Sequence, residues 1–239
     1  MKRNASLLNQ SIAIGSREQL LGRAAELLFR GGSIATVNPI MLTDALRSGE
    51  LFFALRGSLL IPDGVGVVKA LSKRGIYTEA LPGVELCESL LDIGEPSFAI
   101  LGGKEGVAPL AEKYLVNKHK GATCLFTFCG YGFSEEEIKR RLEETHPDIF
   151  LVCLGSPRQE ILIDRLKSHS PRTLFIGLGG SLDIYSGRLM RAPRVFRALG
   201  LEWLFRMLRE PRRIKKIPTL IDFIWLCRLE RRRKGRSLS

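Results

Sequence analysis

Residues 149–165 combine an apolar run, a polar turn and an amphipathic pattern, and they constrain the fold more than any other part of the chain. The run 149–154 is continuously apolar, which indicates a strand buried on both faces, as in a parallel sheet covered by helices. After the turn, the apolar spacing is helical, and Gln159 and Glu160 fall in the first helical turn. Open α/β sheets bind ligands where a strand ends and a helix begins. We therefore expect a small-molecule site here.

The order of strand, polar turn and helix recurs about six times along the chain. Strands are predicted at residues 33–37, 59–61, 98–101, 124–128, 149–154 and 173–176. A helix is predicted from the capping box of Ser16 and Gln19 to Phe29, and residues 1–15 are expected to be loose. The pattern predicts an α/β fold, namely a Rossmann-like, doubly wound, largely parallel sheet with helices on both faces.

Basic residues are concentrated at the C-terminal end. Residues 188–239 contain sixteen Lys and Arg against four acidic residues, so this part alone carries the net charge of +12. Residues 1–187 are neutral overall, with 21 residues of each sign. From residue 195 the pattern is helical only. We predict an α/β core at 1–195 and a helical basic appendage at 196–239 that meets an anionic partner.

Cysteine usage and hydropathy indicate the compartment. The five cysteines form no C-x-x-C pair, and several lie in apolar runs, which favours a reducing cytoplasm. Polar residues interrupt the N-terminal region, and no run approaches the ~18 apolar residues of a spanning helix. We expect neither a signal peptide nor a transmembrane segment.

Polar residues follow two predicted strands. Thr36 and Asn38 end the first, where they are suited to bind a base, ribose or phosphate, although Asn38 is equally suited to cap the next helix. Asp63 precedes Gly64 at the same edge of the sheet, where a carboxylate can accept a proton from a substrate hydroxyl. An Asp before a Gly is also common in turns.

Other candidates are weaker. Gly102, Gly103 and Lys104 resemble a phosphate-binding loop without matching a known motif, so a structural role is favoured. The run Gly177-Leu178-Gly179-Gly180 is weak evidence for a phosphate-binding loop for the same reason. Arg191 can clamp a diphosphate or remain a solvated surface residue.

The absence of several catalytic motifs disfavours particular classes of enzyme. The three histidines have no partner at ligand spacing, and no D-x-D is present, which argues against a divalent cation held between paired aspartates. No G-x-S-x-G is present, so a serine hydrolase is disfavoured. No metal or cofactor is expected.

The C-terminal region has three interpretations. Aromatic residues such as Trp225 interleave with arginines, which suits a helix lying on an anionic membrane surface. Nucleic-acid binding also uses positive charge but does not account for the apolar run 220–227. A helix packed on the core, with a basic end, is the third interpretation.

Together these motifs resemble the WecG/TagA/CpsF family of bacterial glycosyltransferases. The similar segments are T-V-N at 36–38, P-D-G-V-G at 62–66, L-G-G at 101–103, P-D-I-F-L-V-C-L-G-S-P-R-Q-E at 147–160, G-L-G-G-S-L-D-I-Y-S-G at 177–187, R-A-P at 191–193 and L-E-W-L-F-R-M-L-R-E-P-R-R at 201–213. They follow the family order and cover nearly the whole chain beyond about residue 15.

The resemblance implies an inverting, metal-independent transfer of N-acetylmannosamine from its UDP-sugar to undecaprenyl-diphosphate-linked N-acetylglucosamine. This reaction serves the assembly of teichoic acid or another surface polysaccharide. It implies a peripheral protein on the inner face of the bacterial cell membrane, held by residues 196–239, with no nucleic-acid partner. Homo-oligomerisation stays open. The alternatives are the same fold with another UDP-sugar donor, or a non-enzymatic nucleotide- or nucleic-acid-binding module.

The resemblance also implies roles for individual residues. Asp63 corresponds to the catalytic base, Gln159 to an active-site hydrogen-bonding group, and Arg206 and Arg213 to arginines that reach over the site towards the diphosphate. Substrate contacts are expected at Thr36, Asn38, Gly64, Gly102, Gly103, Gly155, Arg158, Glu160, Gly179 and Arg191.

Overall fold

An eight-stranded sheet forms the centre of the protein, whose computed structural model describes residues 3–193, 196, 202–209 and 211–236. Within these ranges, residues 203, 206, 208, 211–213 and 233–236 are described by their backbone alone. The strands are β1 (Asn4–Leu7), β2 (Gln10–Ala13), β3 (Gly32–Val37), β4 (Leu59–Pro62), β5 (Ser97–Gly102), β6 (Thr123–Phe128), β7 (Ile149–Cys153) and β8 (Leu174–Gly177). Their order is β1-β2-β4-β3-β8-β7-β5-β6.

Helices connect the strands. They are α1 (Arg17–Arg30), α2 (Pro39–Ala45), α3 (Gly49–Arg56), α4 (Val65–Ser72), α5 (Gly83–Leu91), α6 (Val107–Lys118), α7 (Glu135–Thr145), α8 (Arg158–Leu166), α9 (Ser181–Tyr185), α10 (Glu202–Arg209) and α11 (Ile217–Arg236), with a 3₁₀ helix at Pro211–Lys216 before α11. Strands β1 and β2 pair antiparallel, and the other pairs of the sheet are parallel. The predicted α/β class, with its largely parallel sheet, is confirmed.

Strand β7 shows why the sheet is covered on both faces. All five of its residues are buried, and they alternate between two apolar clusters. Ile149 and Leu151 pack with residues of α1, α5 and α6, whereas Phe150 and Val152 pack with residues of α7 and α8. Because successive side chains point to opposite faces of a strand, a continuous apolar run requires helices on both sides. The interpretation as a strand buried on both faces is confirmed for residues 149–153, and the partly buried Leu154 follows the strand.

The first two helices begin at the N-cap residues that the sequence predicts. The Ser16 side chain accepts from the Gln19 N–H, and the Gln19 side chain accepts from the Ser16 N–H, which completes the capping box of α1. The Asn38 carboxamide oxygen accepts from the N–H groups of Ile40 and Met41, at 3.0 and 3.1 Å. Asn38 is therefore the N-cap of α2, whose first residue is a proline.

The prediction of a loose start at residues 1–15 was wrong for residues 4–13. Strands β1 and β2 form a hairpin whose two turn residues, Leu8 and Asn9, both have positive φ, at 49° and 61°. This turn conformation matches the twist of paired strands, but it is usually recognised in a sequence by Asn-Gly or Asp-Gly. Ile12 of β2 pairs with Leu60 of β4, so the hairpin extends the sheet.

The C-terminal helix α11 packs against the core. Phe223 is 3% exposed and belongs to an apolar cluster with residues of α2, α3 and α4. Glu230 pairs with Arg74 at 2.8 Å, and its carboxylate also accepts from the Leu8 N–H at 3.0 Å. The interpretation of a core-packing helix is therefore confirmed for this face of α11. Within the described ranges, no helix is both long and apolar enough to cross a membrane.

Candidate active site

A cavity of about 1320 Å³ opens at the carboxyl ends of β3 and β4. Thr36, Asn38 and Asp63 all line it, together with the first residues of α4 and α5. Residues of α11 line the facing side. The edge of the sheet where the sequence predicts a ligand site is therefore a cavity enclosed partly by the C-terminal helix.

Asp63 is held at the end of the β3–β4 ladder. Its N–H donates to the carbonyl of Val37 at 2.8 Å, directly after the pairing of Val37 with Pro62. Gly64 follows with a positive φ of 74°, which glycine adopts without strain, and it is the N-cap residue of α4. The chain therefore turns sharply after the carboxylate, and both Asp63 and Gly64 lie on the cavity wall.

Close packing sets the positions of three helix starts around the cavity. A Cβ on Gly66 would lie 2.4 Å from Pro39 Cγ, so the first turns of α4 and α2 touch. A Cβ on Gly83 would lie 3.1 Å from the Thr36 hydroxyl oxygen, so α5 begins against the end of β3. Glycine at both positions allows the helices to converge.

The N-termini of α4 and α5 lack side-chain caps. The capping positions are Gly64 and Pro82, and neither supplies a side-chain hydrogen bond to the first turn. The first N–H groups of a helix have no partner within the helix, and they carry partial positive charge. Two such ends on one cavity wall form a favourable environment for an anion.

Two arginines share one carboxylate at the same wall. Arg191 Nη2 donates to Glu85 Oε1 at 2.5 Å, and Arg17 Nη2 pairs with the other oxygen, Glu85 Oε2. Arg17 Nε also donates to the Ala80 carbonyl at 3.0 Å. Arg17, Arg191 and Glu85 all line the cavity. Two arginines and one carboxylate together give this part of the wall one net positive charge. Arg191 was predicted, whereas Arg17 and Glu85 were not, because local pattern does not distinguish them from ordinary first-turn residues of a helix.

Gln159 and Glu160 form a buried network beside the cavity. The Gln159 carboxamide oxygen accepts from the N–H groups of Gly155 and Gly179, at 3.2 and 2.8 Å, and its Nε2 donates to Glu160 Oε1 at 2.6 Å. Burial raises the pKa of the Glu160 carboxyl, while hydrogen bonds from Gln159 and Ser156 act in the opposite direction. Gln159 thus joins the loop after β7 to the loop after β8.

The predicted site residues fall into three groups. The structure brings together on the cavity wall Thr36, Asn38, Asp63, Gly64 and Arg191. The residues that do not belong to this wall, as far as the chain is described, are Gly102, Gly103, Gly155, Arg158, Gln159, Glu160 and Gly179. Arg206 and Arg213 lie in α10 and the 3₁₀ helix, and their side chains are outside the described residues.

The glycines at the end of β5, Gly102 and Gly103, have a packing role. A Cβ on Gly102 would lie 2.5 Å from the carbonyl oxygen of Cys153, and a Cβ on Gly103 would lie 2.7 Å from Val107. The Gly103 carbonyl also accepts from the Gly130 N–H at 2.9 Å. These contacts join the ends of β5, β6 and β7, and they explain the glycines without a phosphate.

The described residues contain no group of three His, Cys, Asp or Glu side chains arranged to hold a metal ion.

The fold and the cavity together define a class of α/β protein that binds an anionic small molecule at the carboxyl edge of a parallel sheet.

Comparison with known proteins gives the family. The sequence profile of the glycosyl transferase WecG/TagA/CpsF family matches residues 5–237, so the chain belongs to this family of glycosyltransferases. A Bacillus spizizenii protein named N-acetylglucosaminyldiphosphoundecaprenol N-acetyl-beta-D-mannosaminyltransferase is 28% identical over 201 residues. The alignment covers 82% of this chain and 78% of that protein. The family resemblance stated from the motifs is confirmed.

Proposed function

We propose that this enzyme transfers N-acetylmannosamine from UDP-N-acetylmannosamine to undecaprenyl-diphosphate-linked N-acetylglucosamine, for teichoic acid or another surface polysaccharide. The observation that carries this proposal is one cavity that holds a carboxylate, Asp63, beside two uncapped helix N-termini. The similarity to the Bacillus spizizenii enzyme supports the choice of donor and acceptor.

Asp63 is the base in the proposed reaction. The carboxylate removes the proton of the acceptor hydroxyl as that oxygen bonds to the anomeric carbon. The bond from this carbon to the UDP oxygen breaks, and its electron pair leaves with UDP. Attack opposite to the leaving group inverts the anomeric centre. Thr36 and Asn38 contact the donor, and because the Asn38 oxygen caps α2, its Nδ2 group makes the contact.

The departing diphosphate is stabilised by groups that are already oriented. The starts of α4 and α5 direct N–H groups to it, and Arg17 and Arg191 add positive charge held in place by Glu85. Fixed dipoles and cations of this kind stabilise developing negative charge without a metal ion. Gln159 and Glu160 act indirectly, because they position the loop that carries Leu178 and Ser181 of the cavity wall.

The acceptor is a lipid, and α11 provides apolar surface for it. Leu220, Ile221, Phe223 and Ile224 line the cavity. Ile221 and Ile224 are also 60 and 49% exposed, and Trp225, which is not among the lining residues, is 59% exposed. A helix with exposed apolar residues and flanking cations binds the interface of an anionic membrane. We place the enzyme at the inner membrane surface, with α11 between the bilayer and the cavity.

The test is product analysis with a panel of UDP-sugars and a short-chain N-acetylglucosamine lipid diphosphate. The donors are the UDP derivatives of N-acetylmannosamine, N-acetylglucosamine, glucose and a mannosaminuronate. We expect a disaccharide only from UDP-N-acetylmannosamine, an inverted anomeric configuration by NMR, and an unchanged rate with excess chelator. Exclusive use of another donor, retention of configuration or loss of activity with chelator would each refute the corresponding part of the proposal.

A further inference from the structure

Beyond the first turn of α4, four cations besides Arg74, which pairs with Glu230, line the cavity. Lys69 lies in α4, Lys73 directly follows α4, and Arg228 and Arg231 lie in α11. Since α4 rises 1.5 Å per residue, Lys69 and Lys73 lie about 6 and about 12 Å along the helix axis from Val65. Asp63 precedes the start of α4, so these cations lie progressively farther from the proposed base.

The two helices are fixed to each other at this end of the cavity. Arg74 and Glu230 form an ion pair whose side chains are only 10 and 19% exposed. Lys73 directly precedes Arg74 in the chain, and Lys73 lines the same cavity as Cys227 of α11. The cations of α4 and α11 are therefore held near each other by the fold.

The four cations on α4 and α11 concentrate positive charge on one part of the cavity wall. Among the salt bridges of the described residues, none involves Lys69, Lys73, Arg228 or Arg231. Like charges on facing helices repel, and their repulsion is relieved when an anion binds between them. Lysine and arginine side chains are also the usual partners of phosphate groups.

Apolar residues beside the cations restrict the kind of anion. Ile221 and Ile224 of α11 line the same cavity and are largely exposed. A diphosphate attached to an aliphatic chain satisfies both the charged and the apolar parts of this surface. In the lipid-linked acceptor, one sugar ring separates the attacking hydroxyl from the diphosphate. With its hydroxyl at Asp63, an acceptor that lies along α4 brings its diphosphate towards Lys69 and Lys73.

We propose that Lys69, Lys73, Arg228 and Arg231 bind the diphosphate of the lipid acceptor, in a subsite separate from the donor diphosphate at the starts of α4 and α5. The proposal rests on the proposed function for the identity of the acceptor. It assigns one anionic subsite to each substrate and orders them along α4.

The first experiment measures binding without turnover. Farnesyl diphosphate, which has an isoprenoid chain and a diphosphate but no sugar, is titrated calorimetrically into the full chain and into the double variants K69Q/K73Q and R228Q/R231Q. We expect its Kd to rise about tenfold or more in each variant, because charge-assisted hydrogen bonds are lost. The Kd for UDP should change less than about twofold, since the helix N-termini are intact. The control K113Q/K120Q removes the same charge from two exposed positions, one in the middle of α6 and one just beyond its end, and should leave both constants unchanged.

The second experiment separates the acceptor from membrane lipid. Steady-state kinetics with the short-chain acceptor, in lipid-free buffer, should show a raised acceptor KM and an unchanged donor KM for both double variants. Flotation with phosphatidylglycerol vesicles measures headgroup binding independently. Loss of vesicle binding with unchanged affinity for farnesyl diphosphate, or equal weakening of UDP and farnesyl diphosphate, would overturn the proposal. If the wild type transfers no sugar but binds farnesyl diphosphate through these residues, the proposed function fails while the subsite stands.

Discussion

Asp63 donates its backbone N–H to the carbonyl oxygen of Val37 at 2.8 Å, directly beyond the last paired residues of β3 and β4. The main chain thus holds the proposed base in the sheet, and its side chain belongs to the cavity wall. A substitution can therefore remove the carboxylate of Asp63 while the main chain keeps the residue in the same position.

We predict that Asp63→Asn lowers kcat about 10²- to 10⁴-fold, because the amide cannot accept the proton of the attacking hydroxyl. The KM for the UDP-sugar and the melting temperature should stay close to the wild type. The control Glu105→Gln changes an exposed carboxylate before α6 and should keep full activity. A near-normal rate for Asp63→Asn, measured by release of UDP, would reject the assignment of the base.

The contact between Gly66 and Pro39 supports a second prediction. A Cβ at position 66 would lie 2.4 Å from Pro39 Cγ, so Gly66→Ala must push the start of α4 away from α2. We expect a loss of about 1–3 kcal/mol in the free energy of unfolding, and a raised KM for the UDP-sugar. Gly22→Ala is the matched control, since its Cβ meets nothing within 4 Å in the middle of α1. That variant should be more stable by about 0.4–1 kcal/mol in chemical denaturation.

Features that depend on neighbouring residues were predictable from the sequence. The apolar run of β7 and the caps at Ser16 and Asn38 are local, and each was found where the pattern placed it. Asp63, Thr36 and Asn38 could be brought together because parallel strands end at one edge of a sheet.

Features that depend on distant pairings were not predictable. The insertion of β8 between β3 and β7 is decided by tertiary packing, which no local pattern reports. The pairing of Arg17 with Glu85 joins residues 68 positions apart. Gln159, assigned from the family resemblance to the active site, is 3% exposed, and its oxygen accepts from two loop N–H groups. Its sequence position beside a strand end does not reveal that inward orientation.

Glu160 supports a prediction on pH. Burial raises the pKa of its carboxyl in the folded state, so the folded protein holds this proton over a pH range in which the unfolded chain releases it. Its contribution to stability is therefore greatest below the unfolded pKa and is lost as the pH rises through the folded pKa. Glu160→Gln cannot ionise and keeps an oxygen to accept from Gln159. The melting temperature of this variant minus that of the wild type should increase between about pH 4 and about pH 8. A constant difference would show that Glu160 does not titrate in this range.

The Arg74–Glu230 ion pair predicts how α11 is held. Removing the carboxylate by Glu230→Ala leaves Arg74 largely buried without this partner and removes the acceptor of the Leu8 N–H. We expect a loss of about 1.5–3 kcal/mol, with faster hydrogen exchange in α11 and β1. The exposed pair of Arg47 and Asp222 provides the comparison, because its side chains are 57 and 44% exposed. Asp222→Asn should cost less than about 1 kcal/mol. Equal exchange in the two variants would contradict the role of Glu230.

Trp225 supports the prediction on membrane binding. It lies on the face of α11 opposite to the buried Phe223, and it is 59% exposed. Transfer of an exposed aromatic side chain into the membrane interface contributes about 1.5–3 kcal/mol, so Trp225→Ser should weaken binding to phosphatidylglycerol vesicles about tenfold or more.

Phe29→Ser is the control, since Phe29 is 76% exposed near the end of α1. Sedimentation with vesicles at low and high salt measures both variants. If both bind as tightly as the wild type, the exposed face of α11 does not enter the membrane. If only Trp225→Ser is weakened at high salt, where the cations are screened, the apolar contact is established.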